Sequence, residues 1–332
     1  MFSIPHPGDF ESLKVIVNEI KKIKKYDKRA RKERFEIYLG FSEFIGTGRA
    51  TLHKPNFEEL EEQIRYAKKN NLRMEVVINA SCLGGTHLTA NGISYINWIF
   101  NQLKNIGVEC VALSDPYLVD LAKNNDLDVN VSCIALVDCL DKALFWDEKE
   151  VYAITLDSSI NRHFDIIQEI KDNVNCKLKI LVNEACLYKC PMRTQHFNFF
   201  SHANAQNIPA LDDYYYNKCI NLRIKNKELI IKSPFIRPED LAHYEKMIDI
   251  FKISGRSHPI GWIKRVLLAY LKRKWDGNLM ELLDCPRELQ HFFYLDNKIL
   301  NSAIKKWKTC NKRCSGCNFC KDLAEKALKV KN

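Results

Sequence analysis

Arg73-Met-Glu-Val-Val-Ile-Asn79, Glu109-Cys-Val-Ala-Leu-Ser114 and Asp128-Val-Asn-Val-Ser-Cys133 are short apolar and β-branched runs, separated by the helical periodicities Ile93–Ile106 and Pro116–Asn124. Strand, helix, strand, helix, strand is the grammar of a parallel sheet covered by helices. The pattern continues in both directions. Upstream stand a strand at Phe35–Gly40 and a helix at Asn56–Lys69, with an amphipathic helix, Phe10–Lys25, ahead of them. Downstream, strands are expected at Val151–Leu156, Leu178–Glu184, Leu229–Ser233 and Phe251–Ser254, with helices at Val137–Trp146, Ile160–Lys171, Pro238–Ile248 and Trp262–Lys274. Eight strands alternating with helices predict an α/β fold, a (β/α)8 TIM-type barrel. A doubly wound open sheet is the alternative. It is weakened because no Gly-rich dinucleotide or P-loop signature follows any strand.

Two stretches exceed a minimal barrel: Ala185–Lys227, and a tail from Trp275 to Asn332. Long excursions are usually functional or separate modules. The expected division is a barrel with its N-terminal helix over 1–274 and a small Cys-rich C-terminal extension over 275–332. No apolar run approaches the ~20 residues of a membrane span. Met1–Asp9 has no apolar segment behind a basic start, so no secretory leader is expected and the cytoplasm is the expected compartment. Thirteen cysteines, an odd number, then favour metal binding or catalysis over a disulfide scaffold. The net charge of +10 is carried by the ends, since Lys21–Arg34 and Lys305–Lys331 are densely basic. Such segments are either solvated helix faces or a surface for a polyanion such as RNA.

In barrels of this type chemistry sits at the C-terminal ends of the strands. The residues expected there are polar: Asn79 and Cys82, Ser114 and Asp115, Ser132 and Cys133, Asp157, then Asn183, Glu184, Cys186 and Cys190, then Lys232 and Ser233, and finally Ser254 and Arg256. Their convergence predicts a pocket for a small anionic molecule. Cys186 and Cys190, joined by Cys219 from the same excursion and Cys82 from the second strand's loop, supply four thiols, the number a four-iron four-sulfur cluster needs. Cys110, Cys133, Cys139 and Cys176 are expected to be packing residues. In the tail, Cys310-x3-Cys314-x2-Cys317-x2-Cys320 places four cysteines within eleven residues, with Gly316 for turning. Its first three match the spacing of radical S-adenosylmethionine enzymes, but there the motif follows the first barrel strand. The expected occupant is a second iron–sulfur centre, with Cys285 as a substitute ligand and structural zinc as the alternative.

Asn183-Glu184-x-Cys186, Tyr188-x-Cys190-Pro191, Lys232-Ser233-Pro234-x-Ile236-Arg237-Pro238-Glu239-Asp240 and Phe251-Lys252-Ile253-Ser254-Gly255-Arg256 together resemble the collagenase-like peptidase U32 family, from about Phe35 to Tyr270. The family name implies proteolysis. Similar proteins are associated instead with oxygen-independent hydroxylation of RNA bases or of a quinone precursor, using a four-cysteine cluster in a barrel, with prephenate as oxygen donor in the RNA-modifying members. The resemblance thus implies a redox enzyme. Cys82, Cys186, Cys190 and Cys219 would hold the cluster. Lys232, Arg237 and Arg256 would bind carboxylates of donor or substrate, and Glu184 or His196 would move protons. The other readings are a peptidase, for which neither an HExxH motif nor a nucleophile elbow is present, and a non-catalytic RNA binder. A partner subunit is also compatible with these features.

Overall fold

A computed structural model describes residues 1–41, 45–209 and 213–331. Eight parallel strands close into a barrel in chain order: β1 (Phe2–Pro5), β2 (Phe35–Gly40), β3 (Arg73–Val77), β4 (Cys110–Leu113), β5 (Asp128–Val131), β6 (Ala153–Thr155), β7 (Lys177–Leu181) and β8 (Ile250–Lys252). Closure is made by β1 pairing with both β2 and β8, Phe2 standing opposite Phe35 on one side and Phe251 on the other. The (β/α)8 expectation holds, with two corrections to which segments supply the strands.

The first strand is Phe2–Pro5, and the helix Phe10–Tyr26 is the first crossover of the barrel, not an addition ahead of it. Four residues ending at a proline carry too little periodicity to register as a strand, although all four are buried. Conversely, Leu229–Ser233 is not a strand. Glu228–Lys232 is a turn and a half of helix, closed by a Glu228–Lys232 ion pair one turn apart. A short apolar run does not distinguish the two states by pattern alone. The excursion after β7 therefore extends to Asp249. It contains the helices Arg193–Ala205, Tyr214–Lys225 and Glu228–Lys232, and a 3-10 segment, Pro238–His243, where a longer helix was expected.

The other helices lie close to their expected places because their ends are specified locally. Asn56 and Glu59 form a reciprocal capping box ahead of Phe57–Lys69, and Asp115 caps Pro116–Asn124 with proline at its first position. Alternate strand residues split into two layers. Ile37, Leu39, Val76, Val111, Val129, Ile154, Leu178 and Ile180 are buried in the main core with the helices. The other set meets across the barrel axis and is charged: the Lys179 ammonium binds Glu36 and, at 2.6 Å, Glu75, whose other oxygen lies 2.7 Å from Lys252. Asn130 donates to Glu75 at 2.7 Å and Thr155 donates to Asn130 at 3.3 Å.

The tail packs on the barrel. Leu279, Leu283, Leu295, Leu300, Trp307 and Leu328 belong to the same core cluster as the strands. Its two strands, β9 (Phe293–Leu295) and β10 (Leu328–Val330), pair antiparallel. No helix among the described residues is long and apolar enough to cross a membrane.

Candidate active site at the barrel mouth

Beyond β7 the chain bends at Val182 and Asn183 before Glu184. Asn183 is fixed from both sides: its amide donates to the carbonyls of Ser254 and Leu282 at 3.1 Å each and accepts from the Ser254 N–H at 2.7 Å. The tail segment around Asp284 lies alongside, with the Asp284 N–H donating to the Asn183 carbonyl at 2.9 Å and the Ala185 N–H to that of Asp284 at 3.3 Å. Cys186 and Cys285 are thus delivered to one place by two parallel segments. Lys189, in the left-handed region at φ 45°, turns the chain back at Cys190. Cys219 comes from the helix Tyr214–Lys225, whose N-terminus Asp213 caps by accepting from the Tyr216 N–H at 2.9 Å.

These four thiols, Cys186, Cys190, Cys219 and Cys285, line one cavity of about 250 Å³. Cys82 does not line it; the structure brings Cys285 to the wall in its stead. Among the described residues no three His, Cys, Asp or Glu side chains converge tightly enough to hold a single metal ion. The four thiols are spread around the cavity wall.

The walls are strongly cationic. Glu184 is fully buried between Arg49, which binds it directly, and Arg193 at 3.2 Å, and it accepts from the Cys186 thiol at 3.2 Å. Burial would raise the Glu184 carboxyl, but the two guanidiniums, Arg193 foremost, hold it down at about 2. Glu184 is therefore a fixed carboxylate that aligns two arginines, a poor proton carrier near neutrality. Arg223, one turn beyond Cys219, is buried, binds the Ala185 carbonyl, and leaves its Nε without a partner. Burial pushes the Cys186 and Cys285 thiols up to about 12 and raises Cys219, with Arg223 opposing in all three cases. His196 lines the same cavity, bound through Nε2 to Asp213 at 2.9 Å and packed on Phe200 and Tyr215. Burial, against the pull of Asp213, holds its imidazole below the ordinary value.

A second, smaller cavity of about 70 Å³ lies over the barrel axis, lined among others by Tyr38, Asn79, Ser132, Cys133, Lys252 and Arg256. It shares Arg49, Ala50, Ser257 and Asp284 with the thiol cavity. Arg256 is buried and forms no ion pair among the described residues; it donates only to the carbonyls of Ala50, at 3.4 Å, and Arg49, at 3.1 Å. Burial, with repulsion from Arg49, lowers the guanidinium to about 10. The Ser254 hydroxyl is buried and unpartnered nearby. An unpaired buried guanidinium beside the Lys252 ammonium and an orphan hydroxyl suits an anion.

The other expected ligand-binding residues lie elsewhere. Lys232, on a helix and not at a strand end, pairs with Glu228 and lines a third cavity with the tail cysteines. Arg237 is buried in a bidentate pair with Asp240, 2.8 Å through each nitrogen, and donates to the Asn297 carbonyl at 2.9 Å, so it fastens the tail to the barrel. The basic stretch Lys21–Arg34 leads into the start of β2, at the end of the barrel away from both mouth cavities. Sequence reasoning assigned no role to Arg49, Arg193, Arg223 or Lys252. Lys252 was legible as an alternate strand position, but the arginines enter from loops and helices whose paths the pattern does not fix.

The family model for peptidase family U32 matches residues 21–278. The chain is 81% identical over 331 residues, covering 100% of each chain to the nearest per cent, to the uncharacterized protease MJ1657 of Methanocaldococcus jannaschii. It is also similar to the solved structure of the U32 peptidase Mk0906, at 26% identity and a TM-score of 0.53, covering 66% of this chain and 84% of that one. The barrel, the Asn183–Pro191 segment and these matches agree, and the chain belongs to peptidase family U32.

Proposed function

We propose that this protein is an iron–sulfur enzyme carrying out an oxygen-independent redox modification, of the hydroxylation type, with a carboxylate-bearing small molecule bound at the barrel mouth. The observation that carries this reading is that four thiols line a single cavity that shares a wall with a cationic pocket. The donor set fits the group: four soft ligands, and Arg49, Arg193 and Arg223 around them to offset the negative charge of four thiolates. Cys186, Cys190, Cys219 and Cys285 would hold the cluster, which when bound supplies one-electron redox chemistry. Arg256 and Lys252 bind the carboxylate by charge-assisted hydrogen bonds. Glu184 keeps Arg49, which lines both cavities, and Arg193, which lines the thiol cavity, in place, and His196, oriented by Asp213, holds or releases a proton at the edge of the thiol cavity. Prephenate or a related dicarboxylate as donor, and an RNA base or aromatic acceptor, are the substrate classes this reading admits.

The names of the relatives favour proteolysis as the second reading. Against it, among the described residues no serine hydroxyl or cysteine thiol is hydrogen-bonded to a histidine; the partners of His163, His196 and His258 are Tyr188, Asp213 and Asp284. Anaerobic purification with iron, sulfide and absorbance measured together separates the two. The expected protein is brown and bleaches in air; a colourless protein that takes up no iron under anaerobic reconstitution and cleaves unstructured polypeptide would establish the peptidase.

The carboxylate pocket has its own test. Arg256→Ala is expected to weaken binding of prephenate about thirtyfold, the equivalent of about 2 kcal/mol for a charge-assisted contact, with Arg256→Lys intermediate. Calorimetry on the three proteins reads this directly, and equal affinities would remove Arg256 from the site.

A further inference from the structure

We propose that Cys310, Cys314, Cys317 and Cys320 hold a second iron–sulfur cluster on the flank of the barrel, beyond the residues that the family model matches. The inference goes beyond the mouth site and uses none of its residues as ligands. All four thiols line one cavity of about 520 Å³, rimmed by Lys232, Lys306 and Arg313. Cys314 and Cys317 are exposed on its outer side, while Cys310 and Cys320 are partly buried on the inner.

The loop is built to hold its shape. Lys312, at φ 58°, sends its ammonium inward to the carbonyls of Arg162 at 2.8 Å, Cys310 at 2.9 Å and Trp307 at 3.2 Å, tying the cysteine loop to the barrel. The Arg162 guanidinium lies 3.6 Å from the Trp307 ring centroid and donates to the Ile231 and Phe235 carbonyls, so the ring is clamped against the barrel wall. One backbone amide already turns toward a ligand, the Lys312 N–H donating to the Cys310 sulfur at 3.4 Å, and a 3-10 turn at Cys314–Gly316, with the Cys317 N–H on the Cys314 carbonyl at 3.3 Å, shapes the loop between the thiols. Amide-to-sulfur bonds of this kind stabilise and tune cluster thiolates. Cys320 lies in the first turn of the helix Phe319–Ala327, whose positive end favours a thiolate.

The compact run and the roomy cavity favour a cube over a lone ion. Structural zinc is commonly held by two Cys or His pairs set a dozen or more residues apart, whereas compact cysteine runs wrap iron–sulfur cubes. The cationic rim offsets the charge of four thiolates. Tyr188, on the loop between Cys186 and Cys190, stacks on His163 and hydrogen-bonds to it at 3.0 Å, and the carbonyl of the adjacent Arg162 accepts from Lys312. One loop and one arginine thus separate the outer centre from the mouth.

The test uses the full chain, purified anaerobically and reconstituted with ferrous iron and sulfide, in wild-type, Cys314→Ser/Cys317→Ser and Cys190→Ala forms. Iron and sulfide per chain are measured, with electron paramagnetic resonance after dithionite reduction. The wild type is expected to bind about eight irons and each variant about four, with different signals remaining. Both replaced tail cysteines are exposed, so unchanged circular dichroism should accompany their loss of iron. Iron content unaffected by the tail substitutions, or one tightly held zinc per chain that those substitutions abolish, overturns the proposal. If the tail variant loses all its iron while Cys190→Ala loses none, the outer centre stands and the mouth cluster falls.

Discussion

Cys285→Ala is expected to strip the mouth centre of about four irons per chain, while Cys82→Ala leaves it intact. Spacing along the sequence points the other way, because Cys82 follows soon after a barrel strand and Cys285 lies about a hundred positions after Cys186, in the tail. Cys285 reaches the cavity through the pairing of Asp284 with the extension of β7, two backbone hydrogen bonds that carry the tail to the cavity Cys186 also lines. It packs against the core and also meets polar groups: Arg223 lies near it, and the Gln290 amide approaches its sulfur at 3.9 Å. Performing both substitutions in the Cys314→Ser/Cys317→Ser background leaves only the mouth to bind iron, so each reading is all or nothing. Iron and sulfide analysis with the visible absorbance band is sufficient. Bleaching by Cys82→Ala with an unaffected Cys285→Ala protein would return the fourth position to Cys82.

What was legible in the sequence follows from how far each interaction reaches along the chain. The barrel could be read because its strands and helices are specified by local periodicity and caps, as at Asn56 and Asp115. The two errors, Phe2–Pro5 and Leu229–Ser233, are segments of four or five residues, too short for either period to assert itself. Cys186 and Cys190 could be placed together because they stand four positions apart and both follow one strand. Cys285 could be offered only as a substitute in the tail, and Arg49, Arg193 and Arg223 not at all, since each comes to the site through contacts between remote segments. Arg237 illustrates the opposite failure. A motif containing Arg-Pro-Glu-Asp looks like ligand chemistry, but its guanidinium is spent within three residues on Asp240.

The barrel axis carries the largest expected effect on stability. Lys179→Met should destabilise the protein by about 3–5 kcal/mol at neutral pH, because removing one partner of a buried ion network leaves charge without compensation. Lys179 is fully buried and contacts both Glu36 and Glu75; with it gone, Lys252 alone faces two carboxylates. The sign of the pH dependence separates this from a simple packing defect. In the native network Glu75 would be raised by burial, but Lys179 and Lys252 hold it at about 2, below its ordinary 4.5. Its contribution is therefore present above about pH 4.5 and is lost as the pH falls toward 2. In Lys179→Met the same burial acts with less opposition and moves the Glu75 carboxyl up, so its protonation on mild acidification relieves the variant while the wild type gains nothing. The gap between the two in urea midpoint should narrow from pH 7 to pH 5, and adding Glu36→Gln to Lys179→Met should recover part of the loss at pH 7. A gap that stays constant with pH, or a loss below about 1 kcal/mol, would show that the axis tolerates an unpaired carboxylate and that solvent reaches it. Since Lys252 and Tyr38 line the small cavity directly above this network, the same substitution should also weaken the carboxylate pocket. The fixed charges beneath the mouth hold Lys252 by its pair with Glu75, and through it they position the pocket's floor.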